Sequence, residues 1–347
     1  MKDLTQKLAG FPRVQALSLP TPFEAMPNLT RKFGAATLYV KRDDLTGLAM
    51  GGNKTRKLQY AVGAALKQGA DTLITTGGIQ SNHARQTAAF AAKLGLRCEL
   101  ILQHVLPSVP DEYMRSGNML LDNLLGAIVQ IPAPKPGAGD TVKGLSGEAE
   151  MEAAAEAARK AGRKPCIVAL GASTPTGALG YAECAQEIVS QSKAKGVNVD
   201  WVVLGTGSIG TQAGLLAGFK ALNAPTRVMG IAVSGNDQEP RKQLLKSVAQ
   251  QTLELLGSPH AILDSDIFVD GGYVGPGYGE FGQDVIDVVR DAARSEALLI
   301  DPVYTGKAMF GLKELSKKGF FKKGENVVFL HTGGIPGLFA YTERLTR

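Results

Sequence analysis

Lys54 follows Gly51-Gly52-Asn53 and opens a helical stretch that begins at Thr55. A lysine held near a helix N-terminus, beside other positive groups, has its amine pKa lowered. In its neutral form that amine adds to a carbonyl carbon and forms a Schiff base. Most lysines are solvated surface charges. Two glycines and an amide ahead of this one describe a constrained turn instead. Arg42, Asp43 and Asp44 precede the turn and are candidates to fix it.

Three glycine-rich turns could bring a ligand to such an amine. The first is Thr75-Thr76-Gly77-Gly78-Ile79-Gln80-Ser81-Asn82-His83, ahead of a helical run. Ser81 or Asn82 suits a helix cap, and the free amides behind it face an anion. The second is Gly205-Thr206-Gly207-Ser208-Ile209-Gly210-Thr211, which fits G-x-G-x-x-G. A dinucleotide site would add an acid about 20 positions on, at the end of the next strand. Here that run ends in Val233-Ser234, and the first acid beyond it is Asp237. The hydroxyls of Thr206, Ser208 and Thr211 instead suit one phosphate at a helix N-terminus. The third turn is His331-Thr332-Gly333-Gly334-Ile335-Pro336-Gly337. Its glycines admit close backbone approach to a flat ligand, with the Thr332 hydroxyl at the ligand's edge.

These turns need a scaffold, and the apolar pattern supplies one. Runs at 38–40, 72–74, 98–102, 128–131, 166–168, 201–204, 228–231 and 327–330 read as strands. Segments such as 56–68 and 147–161 have helical spacing. The alternation predicts an α/β architecture with mostly parallel sheets. Ligands bind such sheets at the carboxyl ends of strands, where all three turns fall. The Gly/Pro-rich segment 131–139 reads as a surface loop, and 271–279 as a substrate-facing one.

The 347 residues are 44% hydrophobic and 20% charged, enough for a core without disulfide or metal. The charge of +6 comes without a basic block, which argues against a nucleic-acid partner. Cys98, Cys166 and Cys184 are odd in number, lack C-x-x-C spacing and, at 98 and 166, sit in apolar runs as small buried hydrophobes. That pattern points to the reducing cytoplasm. The N-terminus lacks the apolar core of a signal peptide, and no run reaches the ~18 residues of a membrane span. No cluster has zinc-ligand spacing, so no metal is expected. His83 and His331 are placed near the ligand, whereas His104 and His260 read as structural or surface groups.

The segments Lys41-Arg42-Asp43-Asp44, Gly51-Gly52-Asn53-Lys54-Thr55-Arg56-Lys57 and Gly77 to His83 share a pattern with Gly205 to Thr211, Asp301-Pro302-Val303-Tyr304-Thr305-Gly306-Lys307 and His331 to Gly334. Together, over nearly the whole chain, they resemble the pyridoxal-phosphate (PLP) enzymes of fold type II, the tryptophan-synthase β-like family. Within it they are most similar to the D-cysteine desulfhydrase and 1-aminocyclopropane-1-carboxylate (ACC) deaminase subgroup. The resemblance implies pyridoxal 5′-phosphate as cofactor and two open, twisted, mostly parallel sheets flanked by helices. It implies a large PLP-binding domain of residues 1–53 and 170–347, a small domain of residues 54–169, and a homodimer. Lys54 would form the Schiff base, and Asn82 would meet the cofactor's 3′-oxygen. Ser81, with the helix amides and His83, would hold the substrate carboxylate. Thr206, Gly207, Ser208, Gly210 and Thr211 would cradle the phosphate. Thr332 would meet the pyridine nitrogen, and Tyr304 would stand close to the substrate. Thr174 departs from the family pattern, where Asn is usual.

Tyr304-Thr305 bears on the reaction. ACC deaminases of this family carry Glu after the Tyr, a carboxylate that keeps the pyridine nitrogen protonated. Thr305 and Thr332 offer neutral hydroxyls, a weaker electron sink suited to loss of a good β-leaving group. The expected reaction is α,β-elimination, in which D-cysteine and water give pyruvate, hydrogen sulfide and ammonia. Lys54 or Tyr304 would take the α-proton. L-cysteate sulfo-lyase and ACC deaminase are the alternatives inside the family. Outside it stand an NAD-binding oxidoreductase and a non-catalytic small-ligand-binding protein.

Overall fold

The computed structural model describes residues 4–34, 36–133, 147–235 and 237–346, in which ten strands form two sheets. The larger sheet has the order β1 (Phe23–Ala25), β2 (Thr37–Lys41), β10 (Asn326–Leu330), β7 (Trp201–Thr206), β8 (Arg227–Ala232) and β9 (Phe268–Asp270). The smaller has the order β5 (Ile128–Gln130), β4 (Arg97–Gln103), β3 (Thr72–Gly78) and β6 (Pro165–Ile167). Every pairing is parallel except β1 on β2. The four strands of the smaller sheet all lie between residues 72 and 167.

All eight apolar runs are strands. Only β1 and β9 carry no signal in the sequence that predicts them. Both are three-residue edge strands, too short for a readable alternation. The interior strands behave differently. Every residue of β3 is buried. In the larger sheet, Trp201, Val203 and Phe329 enter one core layer while Val202, Leu204, Val328 and Leu330 enter another. Strands covered on both faces read as continuous apolar runs, which is why these were legible.

Helices complete the layers. Helix Pro175–Ala194 packs on helix Gly210–Ala221 and on helix Asn53–Lys67. Thr174 caps the first of these, its hydroxyl accepting from Gly177 N at 3.1 Å. Asn and Thr both serve as N-caps, so either residue suits this position of the helix. Cys98 and Cys184 are buried, but Cys166 is half-exposed because β6 is an edge strand. The predicted helix at 147–161 is found as Glu148–Lys160. Beyond residue 133, the predicted loop 131–139 lies outside the described residues. No helix among the described residues is long and apolar enough to cross a membrane.

Candidate active site

The carboxyl ends of β3, β7 and β10 converge on one cavity of about 820 Å³, open mouth included. Lys54 sits in its wall as the second residue of helix Asn53–Lys67. The turn before it is built on backbone contact. A Cβ on Gly333 would stand 2.7 Å from the Cα of Gly52, and Gly52 itself has φ of 119°. Neither position tolerates a side chain. Asn53 then ties three segments together. Its N–H donates to Thr332 O at 2.9 Å, its Nδ2 donates to Thr211 Oγ1 at 2.9 Å, and its Oδ1 accepts from Lys54 Nζ at 3.1 Å. Burial is the main force on the Lys54 amine, pulling its pKa down to about 8; Asp301 opposes this and Arg85 adds to it.

The β3 turn ends in Ser81, the N-cap of helix Asn82–Leu94, whose Oγ accepts from Ala84 N at 3.2 Å. A Cβ on Gly77 would fall 2.4 Å from that oxygen, so glycine is required for the cap to close. Asn82 and His83 follow, both lining the cavity. The Thr75 hydroxyl donates its one proton to Val168 O at 2.7 Å, so its contact with His83 Nε2 at 2.8 Å must be an accepted bond. His83 Nε2 therefore carries the hydrogen and Nδ1 is a bare acceptor, buried without a partner among the described residues. Burial, with Lys54 and Lys57 nearby, holds the ring's pKa well below the usual histidine range, so it stays neutral.

The β7 turn contributes Gly205, Thr206, Gly207, Ser208, Ile209 and Thr211 to the cavity wall. Gly210, expected among them, does not line it; its N–H donates to Ser173 Oγ at 3.3 Å. Thr206 Oγ1 is buried and has no partner among the described residues. Behind the turn stands a group that sequence reasoning passed over. Lys57 is fully buried, its Nζ donates to Ser173 Oγ at 3.2 Å, and Ser173 Oγ donates to Ser208 Oγ at 2.9 Å. Its spacing of three from Lys54, on one helix face, was the available signal.

At the β10 turn Thr332 and Gly333 line the cavity. His331, expected near the ligand, lies one layer back. Its Nδ1 accepts from Gly333 N at 3.2 Å and its Nε2 donates to Leu299 O at 2.8 Å, so it supports the turn. Tyr304 is in the wall, its hydroxyl bonded to that of Tyr278 from the 271–279 loop. Burial raises the pKa of both phenols and keeps them protonated. Asp301, three residues before Tyr304, also lines the cavity. Thr305 corrects an expectation. It is fully buried and faces away from the cavity, its hydroxyl donating to Asp301 Oδ2 at 2.6 Å.

A lowered lysine amine and an unsatisfied hydroxyl in a glycine turn at a helix N-terminus together suit a flat carbonyl compound that carries one phosphate. Fold and site thus define a parallel α/β enzyme of the Schiff-base-forming kind. The chain belongs to the pyridoxal-phosphate dependent enzymes, whose family model matches residues 14–333. Members of this family use pyridoxal 5′-phosphate, and the orphaned Thr206 hydroxyl and the Lys54 amine fit it. The crystal structure of an ACC deaminase homologue is 38% identical, with a TM-score of 0.88, covering 100% of this chain and 99% of that one. The processed form of threonine deaminase isoform 2 from Solanum lycopersicum is 16% identical, with a TM-score of 0.67 and coverage of 99% and 87%. A pyridoxal 5′-phosphate-dependent aspartate racemase is 14% identical, with a TM-score of 0.66 and coverage of 96% and 94%. The latter two share the fold. The dinucleotide reading of Gly205 to Thr211 falls with the family assignment.

Proposed function

We propose that this protein catalyses α,β-elimination on a small amino acid, with D-cysteine as substrate, giving pyruvate, hydrogen sulfide and ammonia at the expense of one water. The condition of Asp301 carries this reading. It is the one carboxylate lining the cavity among the described residues. Its Oδ1 accepts from Val303 N and Tyr304 N at 2.8 and 2.7 Å; its Oδ2 accepts from Thr305 N and Thr305 Oγ1 at 3.1 and 2.6 Å. A carboxylate filled by its own turn has no lone pair left to hold a proton on a ligand ring. The contact available there is the neutral Thr332 hydroxyl. PLP, when bound, supplies the electron sink that accepts the Cα electron pair. A sink without enforced protonation suits a good leaving group such as thiolate.

The chain's own groups divide the proton transfers. With its pKa near 8, the Lys54 amine is partly free base at neutral pH and accepts the α-proton. Tyr304 remains a phenol and donates toward the departing sulfur, with Tyr278 behind it. Such general acid–base help contributes roughly 10²–10⁴-fold. Ser81 and the first amides of helix Asn82–Leu94 hold the substrate carboxylate. The bare His83 Nδ1 has no proton to give a carboxylate and suits a donor instead. Lys54 is the only Lys or Arg lining the cavity among the described residues. A sulfonate would find no second cation, which supports sulfide over sulfite as the product.

The test is a product assay on D-cysteine, L-cysteine, L-cysteate and ACC. Equal amounts of pyruvate and sulfide from D-cysteine are expected, with little turnover of the others. Dominant formation of 2-oxobutyrate from ACC would replace this reading with ACC deaminase, which the 38% identical homologue favours.

A further inference from the structure

The amide of Asn82 faces the cavity, but which of its ends does so is settled by Arg85 and Asn118. Arg85 is fully buried, and a guanidinium can only donate. Its Nε donates at 2.9 Å to Asn118, whose contacting atom is therefore Oδ1. Asn118 must then turn Nδ2 the other way, where it donates to Asn82 Oδ1 at 2.9 Å and to Gln80 O at 3.0 Å. With Oδ1 spent on Asn118, Asn82 has its NH₂ left for the cavity. Asn118 is also fully buried, and its backbone N–H donates to Gln80 Oε1 at 2.9 Å. Neither amide inverts without breaking a buried bond.

The same guanidinium reaches the other side of the site. Arg85 Nη1 donates to Gly51 O at 3.0 Å and to Ala49 O. These carbonyls belong to the turn before Lys54, in which Ala49 and Met50 have φ of 42° and 64°. Residues held at positive φ need outside support of this kind.

We propose that Arg85, acting through Asn118, is a positioning residue that fixes Asn82 as a hydrogen-bond donor into the cavity while holding the turn that presents Lys54. This rests on the reading that Asn82 meets the cofactor's 3′-oxygen. A donor there favours the ionised 3′-oxygen, the form that absorbs in the visible. A carbonyl there favours the protonated 3′-hydroxyl, which absorbs in the near ultraviolet.

The test compares absorbance spectra of the PLP-loaded wild type with Asn82→Ala, Asn118→Asp and Asn118→Ala. Asp keeps the shape of Asn118 and its bond to Arg85 but offers Asn82 only an acceptor, so the Asn82 amide turns round. Asn82→Ala and Asn118→Asp are each expected to shift the ratio of the bands toward the near ultraviolet by roughly tenfold or more. Asn118→Ala only frees the amide and should shift it less. If Asn118→Asp does not fold, the direction of the Asn118→Ala shift carries the test. An unchanged spectrum in Asn82→Ala would withdraw the Asn82 reading and the relay with it. A shift in Asn82→Ala, with both Asn118 variants losing thermal stability but keeping the wild-type band ratio, would overturn the relay alone.

Discussion

Thr305 Oγ1 donates to Asp301 Oδ2 across 2.6 Å, closing a turn whose backbone N–H groups at 303, 304 and 305 all point at the same carboxylate. Tyr304, the last of the three residues between them, is thereby set in the cavity wall by an acid that does no proton transfer itself.

Asp301→Asn should accordingly hurt more than its position suggests. The new NH₂ meets backbone donors, leaving buried N–H groups unpaired at a cost of about 1–3 kcal/mol. Tyr304 loses its placement, and kcat/KM on D-cysteine should fall by roughly 10²-fold. Thr305→Ala removes one donor of four, costs about 1 kcal/mol and leaves the products unchanged. Urea unfolding and steady-state kinetics on both variants check the contrast.

Lys54 gives a pH signature separable from turnover. Only its free amine adds to a carbonyl. With the amine pKa near 8, the rate at which apoprotein takes up PLP should rise about tenfold per pH unit below that value and level off above it. Stopped-flow absorbance across the range reads this directly. Lys54→Ala should show no such visible band and lose activity by roughly 10³-fold or more.

Lys57 sets stability against binding. Burial, then repulsion from Lys54, holds its amine well below the usual lysine range. The unfolded chain therefore binds a proton that the folded site disfavours, and between the lowered value and 10.5 stability rises with pH. Lys57→Met should stabilise the apoprotein at neutral pH. Losing the amine that donates to Ser173, and through it orders Ser208, should also weaken PLP binding by roughly 10-fold or more. Thermal unfolding of the apoprotein and equilibrium PLP titration report the two effects.

Asp43 anchors the first turn of the Lys54 helix through Arg56. Arg56 Nε and Nη2 donate to its two oxygens at 2.8 and 3.0 Å, and both side chains are fully buried. Burial pushes the Asp43 carboxyl upward, but the charges of Arg56 and Lys41 outweigh it and hold it below the ordinary 3.8. A lowered folded value means that the stability it contributes is present above 3.8 and is lost as pH falls through the folded value. Asp43→Asn should cost about 3–5 kcal/mol by stranding part of the Arg56 charge. It should also flatten the acid limb of a stability-versus-pH curve measured by denaturant unfolding.

The sequence by itself determined the local chemistry: eight of the ten strands, the glycine turns at their ends, a helix cap at Ser81 or Asn82 and the lysine after Gly51-Gly52. Each of these is written in a few adjacent residues, through periodicity, cap preference or the need for positive φ. The tertiary structure alone decided what those turns face and which end of each polar group does so. Thr305 points away because Asp301 claims its hydroxyl, and His83 presents a bare nitrogen because Thr75 is already committed to Val168. Asn82 offers its NH₂ because of an arginine and a second asparagine from another helix. Asp301 is only four residues from Thr305, but Val168 and Asn118 lie far along the chain from the residues they orient, and no local pattern encodes those partners.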